Sequence, residues 1–126
     1  MKLNGVAHQN VTFDIAIGDP VTVVWDKELG EKLNDNVPAY RVMYEGQPLG
    51  WVPKVETVRE WYMEAKAKND RRKMRELTEV GNELVFIRDE LYRDFHERHV
   101  LPTGKICGYT REGGVVRSVS VDLNYG

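Results

Sequence analysis

Apolar residues recur at every second position at both ends of this chain and at every third or fourth position in its middle. That change of period constrains the fold most, because period two marks a half-buried strand and a period near 3.6 marks an amphipathic helix. Val11, Phe13, Ile15 and Ile17 alternate with Thr12, Asp14 and Ala16, and Gly18-Asp19-Pro20 then turns the chain. Residues 21–25 are apolar on both sides, which predicts a central strand. A charged, Asn/Asp-rich stretch without period separates Asp26 from Pro38. The next strand sets Tyr40, Val42 and Tyr44 on one face and Arg41 and Met43 on the other. Glu45-Gly46 supplies a tight turn into a second short strand that carries Gly50, Trp51 and Pro53.

After Lys54 the period lengthens. Val58, Trp61, Tyr62 and Ala65 fall at helical spacing, with Glu56-Thr57 at the helix start. Asn69-Asp70 breaks the pattern, and Asp70 is suited to cap the next helix. Leu77, Val80, Leu84, Ile87, Leu91 and Phe95 form a sustained stripe, and Gly81 within it costs about 1 kcal/mol relative to alanine. Pro102 and Gly104 end the helical section, and residues 105–110 and 115–123 then flank a turn as two more strands. The order is four strands, two helices, two strands. It predicts one domain over residues 1–126, in which 1–54 and 105–126 form a small antiparallel sheet or barrel and 55–101 a helical insertion. The stripe is long for the small sheet it would cover, which predicts self-association through the helices as a homodimer.

Composition narrows the setting. At 126 residues the chain is large enough to bury a core without disulfides, and its single cysteine, Cys107, cannot form an internal one. No apolar run approaches the length needed to cross a bilayer, so a cytoplasmic protein with no membrane partner is expected. The net charge of −2 is unevenly distributed: residues 1–53 carry −3, residues 54–75 carry +4 and residues 76–126 carry −3. Lys66, Lys68, Arg71, Arg72, Lys73 and Arg75 make the basic middle, the place where phosphate contact is expected.

Catalytic chemistry finds little support. His96, His99 and Cys107 match no strong zinc spacing, and cationic side chains at a helix end suit the dipole, so a solvated helix terminus accounts for the histidines better. Cys107 lies between Ile106 and Gly108 in an apparent strand, where a small buried residue is expected rather than a nucleophile. The carboxylates ahead of residue 39 have no fixed mutual spacing, and no Gly-Lys-Ser/Thr phosphate loop occurs. The chain is therefore expected to have no enzymatic activity, no cofactor and no metal.

Several short pieces stand in a distinctive order: a valine-rich strand at 21–25, Asn34-Asp35-Asn36, Ala39-Tyr40-Arg41-Val42, Glu45-Gly46, and Gly50-Trp51-Val52-Pro53-Lys54. In this the chain resembles the HIRAN domain family over about residues 15–60. The family usually has one short helix after its Gly-aromatic-aliphatic-Pro-basic segment, where this chain carries nearly fifty residues of helical sequence. The resemblance implies a small OB-like or SH3-like barrel that grips single-stranded DNA or DNA ends. It implies Asp35 or Asn36 at a terminal sugar, Tyr40 or Trp51 for stacking, and Arg41 and Lys54 at phosphate, with the 66–75 cluster as an extended contact. A rival expectation is a protein-interaction module, such as a small phage- or plasmid-encoded inhibitor, acting on a protein partner through helices 56–100.

Overall fold

The computed structural model describes residues 1–26 and 39–124, which form an α+β fold. Five antiparallel strands are β1 (Pro20–Asp26), β2 (Ala39–Tyr44), β3 (Gln47–Trp51), β4 (Thr103–Glu112) and β5 (Val115–Asn124). Two helices, α1 (Val55–Ala67) and α2 (Arg71–Arg93), lie between β3 and β4 in the chain. The sheet order is β3-β2-β1-β4-β5, so the doubly apolar β1 is the central strand, as its composition predicts. The sheet curls into a half-barrel around a single apolar cluster. Val21 and Val23, Tyr40, Val42 and Tyr44, Leu49, Ile106, and Val116, Val119 and Val121 supply its strand side.

Local chemistry explains the elements. Glu45 (φ 48°) and Gly46 (φ 80°) both take left-handed backbone, the conformation of a two-residue hairpin turn whose twist suits the flanking strands. Register then slips between β2 and β3: Val42 faces Gly50 but Met43 faces Pro48, so Leu49 is an extra residue. Such a bulge on an edge strand accommodates a proline without breaking the ladder. At the helix junction Asp70 accepts the backbone N–H of Lys73 at 3.2 Å and starts α2 as its sequence position predicts.

The segment from Val11 to Ile17 departs from expectation. Its alternation predicts a strand, yet it joins no ladder. Val11 and Ile15 are buried while Thr12 and Asp14 are exposed, so the period does report a half-buried extended chain. The Val11 carbonyl accepts the Val116 N–H at 2.9 Å, but further pairing passes to the following turn, where Gly18 donates to Ile106 at 2.7 Å and Ile106 donates to Asp19 at 2.9 Å. The Asp19 carboxylate also takes the Ala16 N–H at 2.9 Å, folding the chain away from a strand path and leaving Ile17 70% exposed.

Residues 1–4 add a piece the sequence pattern does not announce. Asn4 exchanges both backbone hydrogen bonds with Trp51 of β3 at 2.8 Å, while Leu3 donates to Val119 of β5 at 2.8 Å. One short segment thus bonds to both edges of the sheet. Gly50 permits this approach, since a Cβ there would lie 2.9 Å from the Asn4 carbonyl and 2.9 Å from Val6 Cγ2.

The helical stripe is satisfied within the chain. Leu84, Ile87 and Leu91 join the sheet core, Leu77 and Val80 pack against it, and Phe95 stacks on Tyr40. The expectation that this stripe is too long for its sheet, and so drives dimerisation, loses its premise. After Arg93 the helix widens into one π turn, Asp94–Arg98, and stops at His99 in left-handed backbone (φ 56°). Arg98 holds that turn by reaching Glu90 at 2.9 Å and Asp94 at 2.7 Å, both carboxylates being buried.

Candidate functional site

The end of β3 feeds directly into α1, and Lys54 is the helix N-cap with extended backbone. Pro53 keeps its predecessor extended and so makes this junction sharp. A pocket of about 250 Å³ opens there, lined by Asn4, Tyr40, Trp51, Lys54 and Thr57 with Ala39 and Val52. Tyr40, Trp51 and Lys54 are thus brought together by the β2–β3 register and the strand-to-helix turn.

Each side chain has a distinct situation. Tyr40 is only 1% exposed, with its ring stacked on Phe95 at 5.7 Å and the Arg88 guanidinium 5.2 Å from its centroid. Its hydroxyl is buried without a hydrogen-bond partner among the described residues. Burial pushes this phenol up to about 12, against the pull of Arg88. Tyr40 is therefore wall rather than open face. Trp51 is half-buried, and the Arg41 guanidinium lies 4.5 Å from its ring centroid. Gly5 packs against the same ring, since a Cβ there would stand 3.1 Å from Trp51 Cδ1. Arg41 also pairs with Asp26 at 2.8 Å, while its Nε is buried without a partner among the described residues. One guanidinium thus orients the indole and is largely neutralised by Asp26. Asp35 and Asn36 lie outside the described residues.

The basic cluster lies elsewhere. Lys66 and Lys68 close α1 and Arg71, Arg72, Lys73 and Arg75 open α2, all six exposed. Lys68 is fourteen residues beyond Lys54 along a helix, a separation of about 20 Å at 1.5 Å per residue. The structure therefore unites Tyr40, Trp51 and Lys54 at the pocket, holds Arg41 against the Trp51 ring outside its lining, and sets the cluster at the far tip of the helical pair.

Other sequence candidates resolve differently. His96 is not a solvated terminus: its ring packs edge-on to Trp25 at 4.4 Å and against Tyr92 at 4.3 Å. His99 is exposed, and no group of three metal-ligating residues forms among the described residues. Cys107 is exposed rather than buried. Gly104 and Ile106 are buried and Lys105 and Cys107 exposed, so the cysteine takes the outer face of the alternation, and the register slip against β5 falls at the same position. Asn4 and Thr57 line the pocket without having been singled out by sequence. Thr57 carries only a helix-start signal, and Asn4 belongs to a segment too short to show a period. Among the described residues no helix is long and apolar enough to cross a membrane. No protein-family model, curated protein or solved structure matches this chain.

Proposed function

We propose that this chain is a non-catalytic nucleic-acid-binding module that takes single-stranded DNA or a DNA end at the Trp51 pocket, as the resemblance to HIRAN domains implies. The observation that carries this reading is the convergence of Tyr40, Trp51 and Lys54 on one pocket at the rim of the curled sheet. On this view the five strands and residues 1–4 make a small OB-like barrel, and α1 and α2 are an insertion in it. A half-buried indole offers a face on which an unpaired base stacks, worth about 1–3 kcal/mol. Lys54 supplies a cation for phosphate, and Asn4 and Thr57 supply neutral hydrogen-bonding groups. Fluorescence anisotropy with short single strands at low salt tests it. Trp51→Ala and Lys54→Ala should each weaken binding, by roughly ten-fold for the indole. No binding at low salt to strands with free ends would reject it.

A second reading rests on a different surface. Met63, Val85 and Tyr92 are large apolar side chains exposed on the helices, and such groups favour a protein partner, a second copy of this chain included. Light scattering at high concentration checks the homodimer, which Val85→Glu should dissociate; a monomer throughout removes it.

A further inference from the structure

The tip of the helical pair carries a groove of about 300 Å³ lined by Tyr62, Arg71, Met74, Arg75 and Thr78. Arg71 and Arg75 are one helical turn apart on α2, so their guanidiniums lie on one side of the groove, and the half-buried Tyr62 ring of α1 lies across from them. The arrangement runs against the helix dipole. Arg71, Arg72 and Lys73 crowd the first turn of α2, which has no acidic residue, where the dipole disfavours cations. Compensation within the chain is limited to the Asp70 cap and, among the described residues, to one ion pair of the six cations, Arg72 with Glu76 at 3.3 Å, and that pair is exposed. A local preference overridden for so small a return inside the fold points to a return outside it.

We infer that this groove is a second, separate binding site for a single nucleic-acid strand, with Arg71 and Arg75 on consecutive phosphates and Tyr62 against a base. It keeps the ligand class proposed above but not its site. Tyr62 is five residues beyond Thr57, hence turned about 140° around α1, so the groove opens on a different side of the helix from the Trp51 pocket. One chain therefore holds two strand segments. A guanidinium pair facing a flat ring suits the phosphate-base alternation of a strand. A lipid surface would instead ask for apolar side chains at the turn itself, and Lys68-Asn69-Asp70-Arg71 has none.

Titration calorimetry of the whole chain with a short oligothymidylate at low salt reads the number of sites. Two per chain are expected, falling to one in Trp51→Ala/Lys54→Ala and to one in Arg71→Glu/Arg75→Glu. The tip site left in the Trp51/Lys54 variant should weaken roughly ten-fold on Tyr62→Ala. Charge reversal of the two arginines should lower the slope of log affinity against log salt by at least about 1.4, at ~0.7 per phosphate contact. Circular dichroism checks that the variants stay folded, which the exposure of both arginines favours. One site, lost with Trp51 and Lys54 and unaffected by the arginines, would overturn this inference and leave the pocket standing. Binding lost with the arginines and indifferent to Trp51 and Lys54 would uphold the tip site and overturn the pocket. No binding at all overturns both. Arginine-dependent binding to phosphatidylserine vesicles without binding to the oligonucleotide overturns the tip site as a strand site.

Discussion

Gly50 belongs to the Gly-Trp-Val-Pro-Lys segment that anchors the family resemblance, and its lack of a side chain is used by the chain itself. A methyl group there would press on the Asn4 carbonyl and on Val6, at 2.9 Å each. Gly50→Ala should destabilise the fold by about 1–3 kcal/mol in urea denaturation, while Gly108→Ala, with nothing within 4 Å of the added Cβ, should stay near neutral. Tyr44 carries a pH dependence. Its hydroxyl donates to Asp19 at 2.8 Å, and that bond, with burial, holds the phenol up to about 12 against the ordinary 10.0. Because the fold favours the protonated phenol, its contribution is whole below the unfolded value and is lost as pH rises from 10.0 to about 12. Tyr40, raised by burial, adds to the loss in the same window. Melting temperatures across this alkaline range should fall more steeply for the native chain than for Tyr44→Phe. At this scale the sequence was legible where alternation held: Tyr40, Val42 and Tyr44 do share the buried face. At Cys107 residue type misled, because a small apolar side chain suggests burial while alternation beside the inward Ile106 puts it on the outer face.

Among the elements, α2 shows how a strong pattern outlasts one unfavourable residue. A Cβ on Gly81 would meet Val58 Cγ1 at 3.7 Å, ordinary van der Waals contact. Gly81→Ala should therefore stabilise the chain by up to about 1 kcal/mol, read as a rise in the denaturation midpoint. The π turn that follows depends on Arg98. Replacing it with methionine leaves buried Asp94 without its cation and Glu90 with Arg93 alone, at 3.1 Å, and should lower the denaturation midpoint. The cost stays below that of a fully buried pair because the Arg98 side chain is 39% exposed. Both helices, their Asp70 boundary and the stripe were readable, since more than three turns of period outweigh local noise. The segment from Val11 to Ile17 was misread because alternation reports which side chains are buried. It says nothing of whether the backbone has a neighbour to pair with.

For the molecule as a whole, the β2–β3 and β4–β5 hairpins were readable in the sequence, but the strand expected ahead of β1 was not formed and the joining of the sheet was not readable. The β1–β4 pairing spans the whole helical section, and only three residue pairs make it. The pocket illustrates the same limit. Tyr40, Trp51 and Lys54 were nameable because they stand close together in the chain, whereas Asn4 reaches them only through the fold. Residues 1–4 also occupy the unpaired edges of β3 and β5 at once. If that segment swings away, each molecule presents two sticky borders and one loose end able to fill the matching gap in another copy. Exchange of that end between copies builds closed pairs or open chains from an unchanged fold. A chain lacking residues 1–4 should accordingly elute from size exclusion as concentration-dependent assemblies, and added peptide of that sequence should return it to the smaller species.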